Sequence, residues 1–477
     1  MGEEDLLTST MLHGLLLPQL TELDLSICPT LVCKTSVEII MMCCKNLSSL
    51  DLGGCIQIPV DALIDLVKSL PHLTRLNLSK TQCNIEVLTA VGSCCFGLRE
   101  LDLSTCEDVT PESLLHLVYN PVDRALCCQE LETLRVCNLM PSSYVHELVW
   151  ALAFVLLALP RLKHLIHDSI VDAVCLLYHQ HFDSVQIVPE FPSLAQLAIG
   201  RMSNTNENNS RVSLALREIY ALDEYSWPVA CTVCPHLEEV SMFIRDGPNW
   251  GQNFLSCGSL VHLTINCMGR RDLQELWPVT KNLGAQLHSL TVEGFSLKDE
   301  LSLYTLLDHC QNLKKLRVNF FSSLQGDHVQ VRNGDALNFD VSLPPLKFPQ
   351  LSSFYLMHSN MENPLPAQHA KVLEISLAFL LKYSPQLENL DLIGLTLSLD
   401  EMFQMVLVTD EAALQRLKKL SLIQVDVSMY TIDLLLSSNN QLNYLRMYNC
   451  SKICEQDYED LLQKVDEGNL DLNVEWE

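Results

Sequence analysis

The stretch Leu20-Thr21-Glu22-Leu23-Asp24-Leu25-Ser26-Ile27-Cys28 returns 27 residues later as Leu47-Ser48-Ser49-Leu50-Asp51-Leu52-Gly53-Gly54-Cys55. It returns again as Leu98-Arg99-Glu100-Leu101-Asp102-Leu103-Ser104-Thr105-Cys106. Alternation about the second and third leucines is the two-residue period of a strand, with leucines to one side and the residues between them to the other. One such unit cannot bury its own apolar edge, so copies must stack side by side.

The first leucine of a copy can be read at Leu20, Leu47, Leu73, Leu98, Leu131, Leu162, Leu194, Leu237, Leu260, Leu287, Leu313, Leu351, Leu387, Leu417 and Leu442, fifteen units in all. Two are weak: Leu162 leads to Leu165 and His167, and Leu237 to Val240 and Met242. The regular spacings of 23 to 27 residues fit one strand and one helix or helical turn per unit. Cysteine stands three residues ahead of the first leucine at Cys44, Cys95, Cys128, Cys234, Cys257 and Cys310. Proline stands two ahead at Pro18, Pro71, Pro160, Pro192, Pro235, Pro349 and Pro385, where it ends the preceding helix. The pattern L-x-x-L-x-L-x-x-C resembles a leucine-rich repeat. It implies an α/β solenoid, a horseshoe with a parallel sheet on its concave face and helices on its convex face. The expected organisation is an N-terminal cap over 1–19, an array over 20–469 and a closing strand over 470–477.

Twenty cysteines in a small secreted chain suggest disulfides, but here they keep repeat positions such as Cys28, Cys55, Cys106 and Cys450 and read as small buried hydrophobes. No basic stretch followed by an apolar run opens the chain, and the run Leu148 to Leu159 is too short to cross a bilayer. The expected setting is the reducing cytosol, or the nucleus. A net charge of −27 speaks against nucleic acid or an anionic membrane as partner.

No phosphate-binding glycine loop, H-E-x-x-H or C-x-x-C pair is present, so the expectation is no enzyme, no metal and no cofactor. In the adjacent pairs Cys43-Cys44, Cys94-Cys95 and Cys127-Cys128 only the second keeps the core register. Tyr178-His179-Gln180-His181 lacks cysteines or carboxylates at ligand spacing and reads as a surface loop.

The copies that combine C-x-x-L with L-x-x-L-x-L-x-x-C are similar to the cysteine-containing class found in the repeat half of F-box leucine-rich-repeat proteins, substrate receptors of cullin-RING ubiquitin ligases. The resemblance runs from about Leu12 to Trp476. It implies a protein substrate on the concave face and a ligase adaptor as second partner. No Leu-Pro-x-Glu helix of an F-box precedes Leu20. Thr305-Leu306-Leu307-Asp308-His309-Cys310 matches the start of an elongin-type box, but Lys314 takes its apolar position and the repeat already accounts for Leu306 and Cys310. The alternative expectation is an interaction or signalling scaffold with no ligase link.

The outward positions give a surface map. Early units carry Glu22, Asp24, Asp51, Glu100 and Asp102, an acidic strip that also suits the L-D-L position structurally. Later units carry Phe243, Lys315, Arg317, Tyr355, Met357, Ile393, Ile423, Tyr444, Arg446 and Tyr448. Aromatic, methionine and arginine side chains carry interface energy, so the expected protein-binding site is Tyr355, Met357, Ile393, Ile423, Tyr444, Arg446 and Tyr448. Insertions are expected near 201–230, a polar loop, and near 319–347, where Asn333-Gly334 signals a hairpin.

Overall fold

The computed structural model describes residues 14–139, 145–182, 189–203, 212–245, 257–268, 271–297, 301–322, 343–359, 367–409 and 413–477. The chain divides into two compact units, Met1–Glu238 and Glu239–Glu477. Both are α/β, with parallel strands joined through helices. The Asn333-Gly334 hairpin signal lies outside the described residues.

In the first unit the strands are β1 (Glu22–Asp24), β2 (Ser49–Asp51), β3 (Arg75–Asn77), β4 (Glu100–Asp102), the short pair β5 (Tyr119–Asn120) and β6 (Ala125–Leu126), β7 (Thr133–Arg135), β8 (His164–Ile166) and β9 (Glu218–Asp223). Strands β1-β2-β3-β4-β7-β8 form one sheet in that order, each parallel to its neighbour and in strict repeat register, as in Leu23 beside Leu50 and Leu50 beside Leu76. Leu50, Leu76, Leu101, Leu134 and Leu165 point into the core, at most 3 % exposed. Each such leucine contributes roughly 1.5–3 kcal/mol relative to an exposed one. Helices Lys34–Cys43, Val60–Ser69, Ile85–Cys94, Pro111–Val118 and Val145–Ala158 follow the strands and pack on one another in sequence.

The cysteines of the pattern have a specific task. Cys55 Sγ faces Leu25 O at 3.9 Å, and Cys106 Sγ donates to Leu78 O at 3.0 Å. In the second unit Cys450 Sγ donates to Leu422 O at 3.3 Å. In each case the acceptor is the third leucine of the previous copy, so the thiol ties successive units together across the core. Burial pushes the Cys55 thiol up to about 12. Cys28 departs from the expectation: it is half-buried rather than buried. Cys127 departs in the other direction and is buried like Cys128. Cys231 and Cys257 are each disulfide-bonded, which departs from the reading of the cysteines as small buried hydrophobes.

The unit read at Leu194 requires correction. Leu194 opens the helix Leu194–Ser203, and the strand of this stretch is β9, whose Ile219 and Leu222 are buried, as is Leu216 just ahead of it. Leu-x-x-Leu is shared by strand and helix, since residues three apart also share a helix face. The deciding signal is Ser193-x-x-Gln196: Ser193 N–H donates to Gln196 Oε1 at 2.8 Å, and Gln196 N–H donates to Ser193 Oγ at 3.2 Å. That reciprocal pair is a capping box, which starts a helix. The described part of 201–230 is a helix end, β9 and the start of helix Ser226–Val233, while 204–211, where the expected polar loop mostly falls, lie outside the described residues.

Arg201, at the end of the first of these helices, turns inward. Its guanidinium donates to Leu156 O at 2.7 Å, Leu157 O at 3.2 Å and Ser213 O at 3.1 Å. Leu156 and Leu157 belong to the last turn of helix Val145–Ala158, whose carbonyls have no partner within the helix. Arg201→Met keeps the apolar stem but orphans those carbonyls. Urea unfolding should show the first unit weakened by about 2 kcal/mol; an unchanged midpoint would mean that water replaces the guanidinium.

In the second unit the strands are β10 (Glu239–Ile244), β11 (His262–Cys267), β12 (Ser289–Leu297), β13 (Lys315–Ser322), β14 (Ser353–His358), β15 (Asn389–Ile393), β16 (Lys419–Ile423), β17 (Tyr444–Tyr448) and β18 (Asn473–Trp476). They lie side by side in chain order, all parallel. Both drifted inward positions remain buried, with Val240 and Met242 at most 1 % exposed. Trp476 on the last strand stacks on Tyr458 of helix Glu455–Glu467, ring centroids 5.2 Å apart.

Strands β1–β4 have three residues each and β14–β17 five or six, and the sequence supplies a reason. In the first unit Asp24, Asp51, Asn77 and Asp102 each accept the N–H of the residue two further on, at 2.8–2.9 Å. This side-chain turn draws the backbone away from the ladder after three residues. The residues it turns onto are small: Ser26, Gly53, Ser79 and Ser104. The equivalent positions of β14–β17 hold Met357, Ile393, Ile423 and Tyr448, three of them types that favour strand, and the ladder runs through them.

Candidate functional site

The face of the second unit's sheet opposite the buried leucines is lined by three rows that cross the strands. The first row runs Lys315, Ser353, Asn389, Lys419, Tyr444 and Asn473. The middle row runs Arg317, Tyr355, Asp391, Ser421, Arg446 and Glu475. The third row runs Asn319, Met357, Ile393, Ile423 and Tyr448. Strands about 4.8 Å apart give the four apolar members of the third row a span of about 14 Å.

All seven residues expected at the site are on this face, but they divide among the rows. Met357, Ile393, Ile423 and Tyr448 form one contiguous half-buried apolar line. Tyr355 and Arg446 sit in the middle row and Tyr444 in the first, on β17. No loop is involved: each side chain is aimed by a strand held on both sides, so the face is pre-organised.

Several of these side chains have intramolecular partners. The Arg317 guanidinium lies 3.8 Å from the Tyr355 ring centroid and pairs with Glu293 at 3.0 Å. Tyr355 Oη donates to Met357 Sδ at 3.2 Å, fixing both side chains. Tyr444 Oη donates to Glu475 Oε2 at 2.7 Å, and that bond to a carboxylate raises the phenol's pKa. Arg446 reaches the same carboxylate at 3.8 Å. Tyr444 is therefore a packing residue of the last strand pair as well as a surface residue. Behind the apolar row, His358 is buried and stacks on Phe320 with centroids 5.1 Å apart, and burial lowers its pKa.

Two cations on this face stand without a carboxylate partner among the described residues. They are Lys315 and Lys419, both exposed and both in the first row. Lys419 was legible by the same outward-position rule as its neighbours. A lysine on a solvated face carries little signal alone, and only its place beside the apolar row makes it informative.

The acidic strip occupies the corresponding face of the first unit. Glu22 and Asp24 are exposed, and Asp51, Glu100 and Asp102 are half-buried. Its aspartates are spent largely on the backbone turns described above, and Asp51 also accepts Asn77 Nδ2 at 2.9 Å. Glu100 pairs with Arg75 at 3.3 Å. The strip is thus partly structural.

Among the described residues no group of three or more His, Cys, Asp or Glu side chains is placed to hold a metal ion. Among them, too, no helix is long and apolar enough to cross a membrane. No protein-family model matches the chain, and no curated protein matches its sequence.

Proposed function

We propose that the chain is a leucine-rich-repeat solenoid of the cysteine-containing class, acting without catalysis as a protein-binding receptor, and that it presents its bound protein to a cullin-RING ubiquitin ligase. The observation that carries the binding reading is the row Met357, Ile393, Ile423 and Tyr448. Four neighbouring strands place large apolar side chains on the outer face, where the fold itself has no need of them. The equivalent positions after β1–β4 of the first unit are filled by serine and glycine, so the repeat does not require apolar residues there. The ligase link rests on the likeness of the repeat class to F-box leucine-rich-repeat receptors. The net charge of −27 favours a protein partner over nucleic acid or an anionic membrane.

Affinity purification with mass spectrometry tests both halves, using the wild-type chain and the double variant Met357→Ala, Tyr448→Ala. The wild type should recover a protein partner together with a cullin and its adaptor. The variant should lose the partner tenfold or more, about 1.4 kcal/mol, while circular dichroism and melting stay close to wild type. Partner recovery with no cullin would remove the ligase link and leave a plain scaffold. Undiminished recovery by the variant would remove the site.

A further inference from the structure

Resting on that reading, we infer that the occupant of the second unit's open face is an acidic amphipathic helix of about three turns, lying across the strands. Charge supplies the first support. Within a chain of net charge −27, the outward positions of β13–β17 carry Lys315, Arg317, Lys419 and Arg446 against a single carboxylate, Asp391. The two arginines are held by Glu293 and Glu475 on the flanking strands. Lys315 and Lys419 keep their full charge for a partner, since no described carboxylate pairs with either. They stand three strands apart in one row, about 14 Å, the same span as the apolar row.

Geometry supplies the second support. The first and third rows are four residues apart along each strand, about 13 Å. A helix with its side chains is about 10–12 Å across, so one helix bridges the two rows. Its apolar stripe, repeating every three or four residues, would lie on Met357, Ile393, Ile423 and Tyr448. Carboxylates flanking that stripe would then reach Lys315 and Lys419. Three turns cover about 16 Å, enough for either row. An extended strand fits less well, because its side chains alternate away from the surface. Asp391, midway in the central row, disfavours an acidic residue at the centre of the helix and so helps set its register.

The test uses two fluorescein-labelled, hydrocarbon-stapled helical peptides of about fourteen residues, just under four turns. They share one leucine stripe, flanked by glutamate in one and by lysine in the other. Fluorescence anisotropy against the full chain should show the glutamate peptide binding at least tenfold tighter, with affinity falling as salt rises. Lys315→Glu with Lys419→Glu should weaken the glutamate peptide tenfold or more and strengthen the lysine peptide. Equal binding of the two peptides, binding of neither, or a charge-reversed variant that still prefers glutamate would overturn the inference. A captured partner that is insensitive to the two lysines but lost with Met357→Ala, Tyr448→Ala would overturn the helix chemistry and leave the binding face standing. Loss of neither would overturn the face itself.

Discussion

Cys106→Asp should unfold the first unit or weaken it by at least about 3 kcal/mol, while Cys28→Asp should cost far less. The two cysteines hold the same place in the repeat, so sequence alone assigns them equal weight. Cys106 is fully buried, its thiol 3.0 Å from Leu78 O and its pKa raised by burial. A carboxylate there loses its water, and the carbonyl it faces offers no proton. Cys28 is half-buried and keeps access to solvent. The buried aspartate would have its own pKa raised, because its environment disfavours the charged form. The penalty is therefore largest above the folded-state pKa and fades as pH falls towards the ordinary carboxylate range, which is the reverse of a salt-bridged aspartate. Urea denaturation followed by circular dichroism at pH 8 and pH 5 reads both effects. Equal losses at the two positions would contradict the inter-repeat role of the thiol.

Gly294→Ala should be comparably damaging to the second unit. Between Glu293 and Phe295 the register of β12 against β13 shifts, and Gly294 absorbs the shift with φ +82°. That conformation turns Phe295 into the core, where it is fully buried in register with Phe320. A Cβ on Gly294 would stand 2.0 Å from Cys267 O on the neighbouring strand, a backbone atom that cannot swing aside. Left-handed strain and the clash together should cost about 3 kcal/mol or more. Gly258→Ala is the control, since nothing lies within 4 Å of its added Cβ. A denaturation midpoint for Gly294→Ala equal to that of the control would show that the bulge is dispensable.

Legibility in the sequence follows the range of each interaction. Leucines at Leu23, Leu50, Leu76 and Leu101 announce strands because a two-residue period beside a fixed first leucine is a local signal. The strands are where that period places them. Leu194 misleads because its Leu-x-x-Leu also satisfies a helix, and the choice falls to the capping pair Ser193 and Gln196. Asp24, Asp51 and Asp102 read at first as an acidic surface. Their bonds to the N–H groups of Ser26, Gly53 and Ser104 make them equally the device that ends their strands. Asp391 shares their L-D-L setting, yet its strand continues through Ile393, because the next outward residue is a strand former rather than a serine or glycine.

By itself the sequence determined the repeating unit, its inward leucines, the parallel strand register and the outward position of every residue in the candidate site, all properties of spacing along a single copy. Tertiary structure decided which outward residues become neighbours. Met357, Ile393, Ile423 and Tyr448 are separated by 30 to 36 residues at one end of the row and 25 at the other, yet they are adjacent in space. It also decided which polar groups are already engaged: Tyr444 and Arg446 by Glu475, Arg317 by Glu293, the Arg201 guanidinium by the end of a helix. The physical reason is that a side chain's direction is set by its own strand, whereas its partners are set by stacking copies of unequal length, and the connecting lengths do not carry that information.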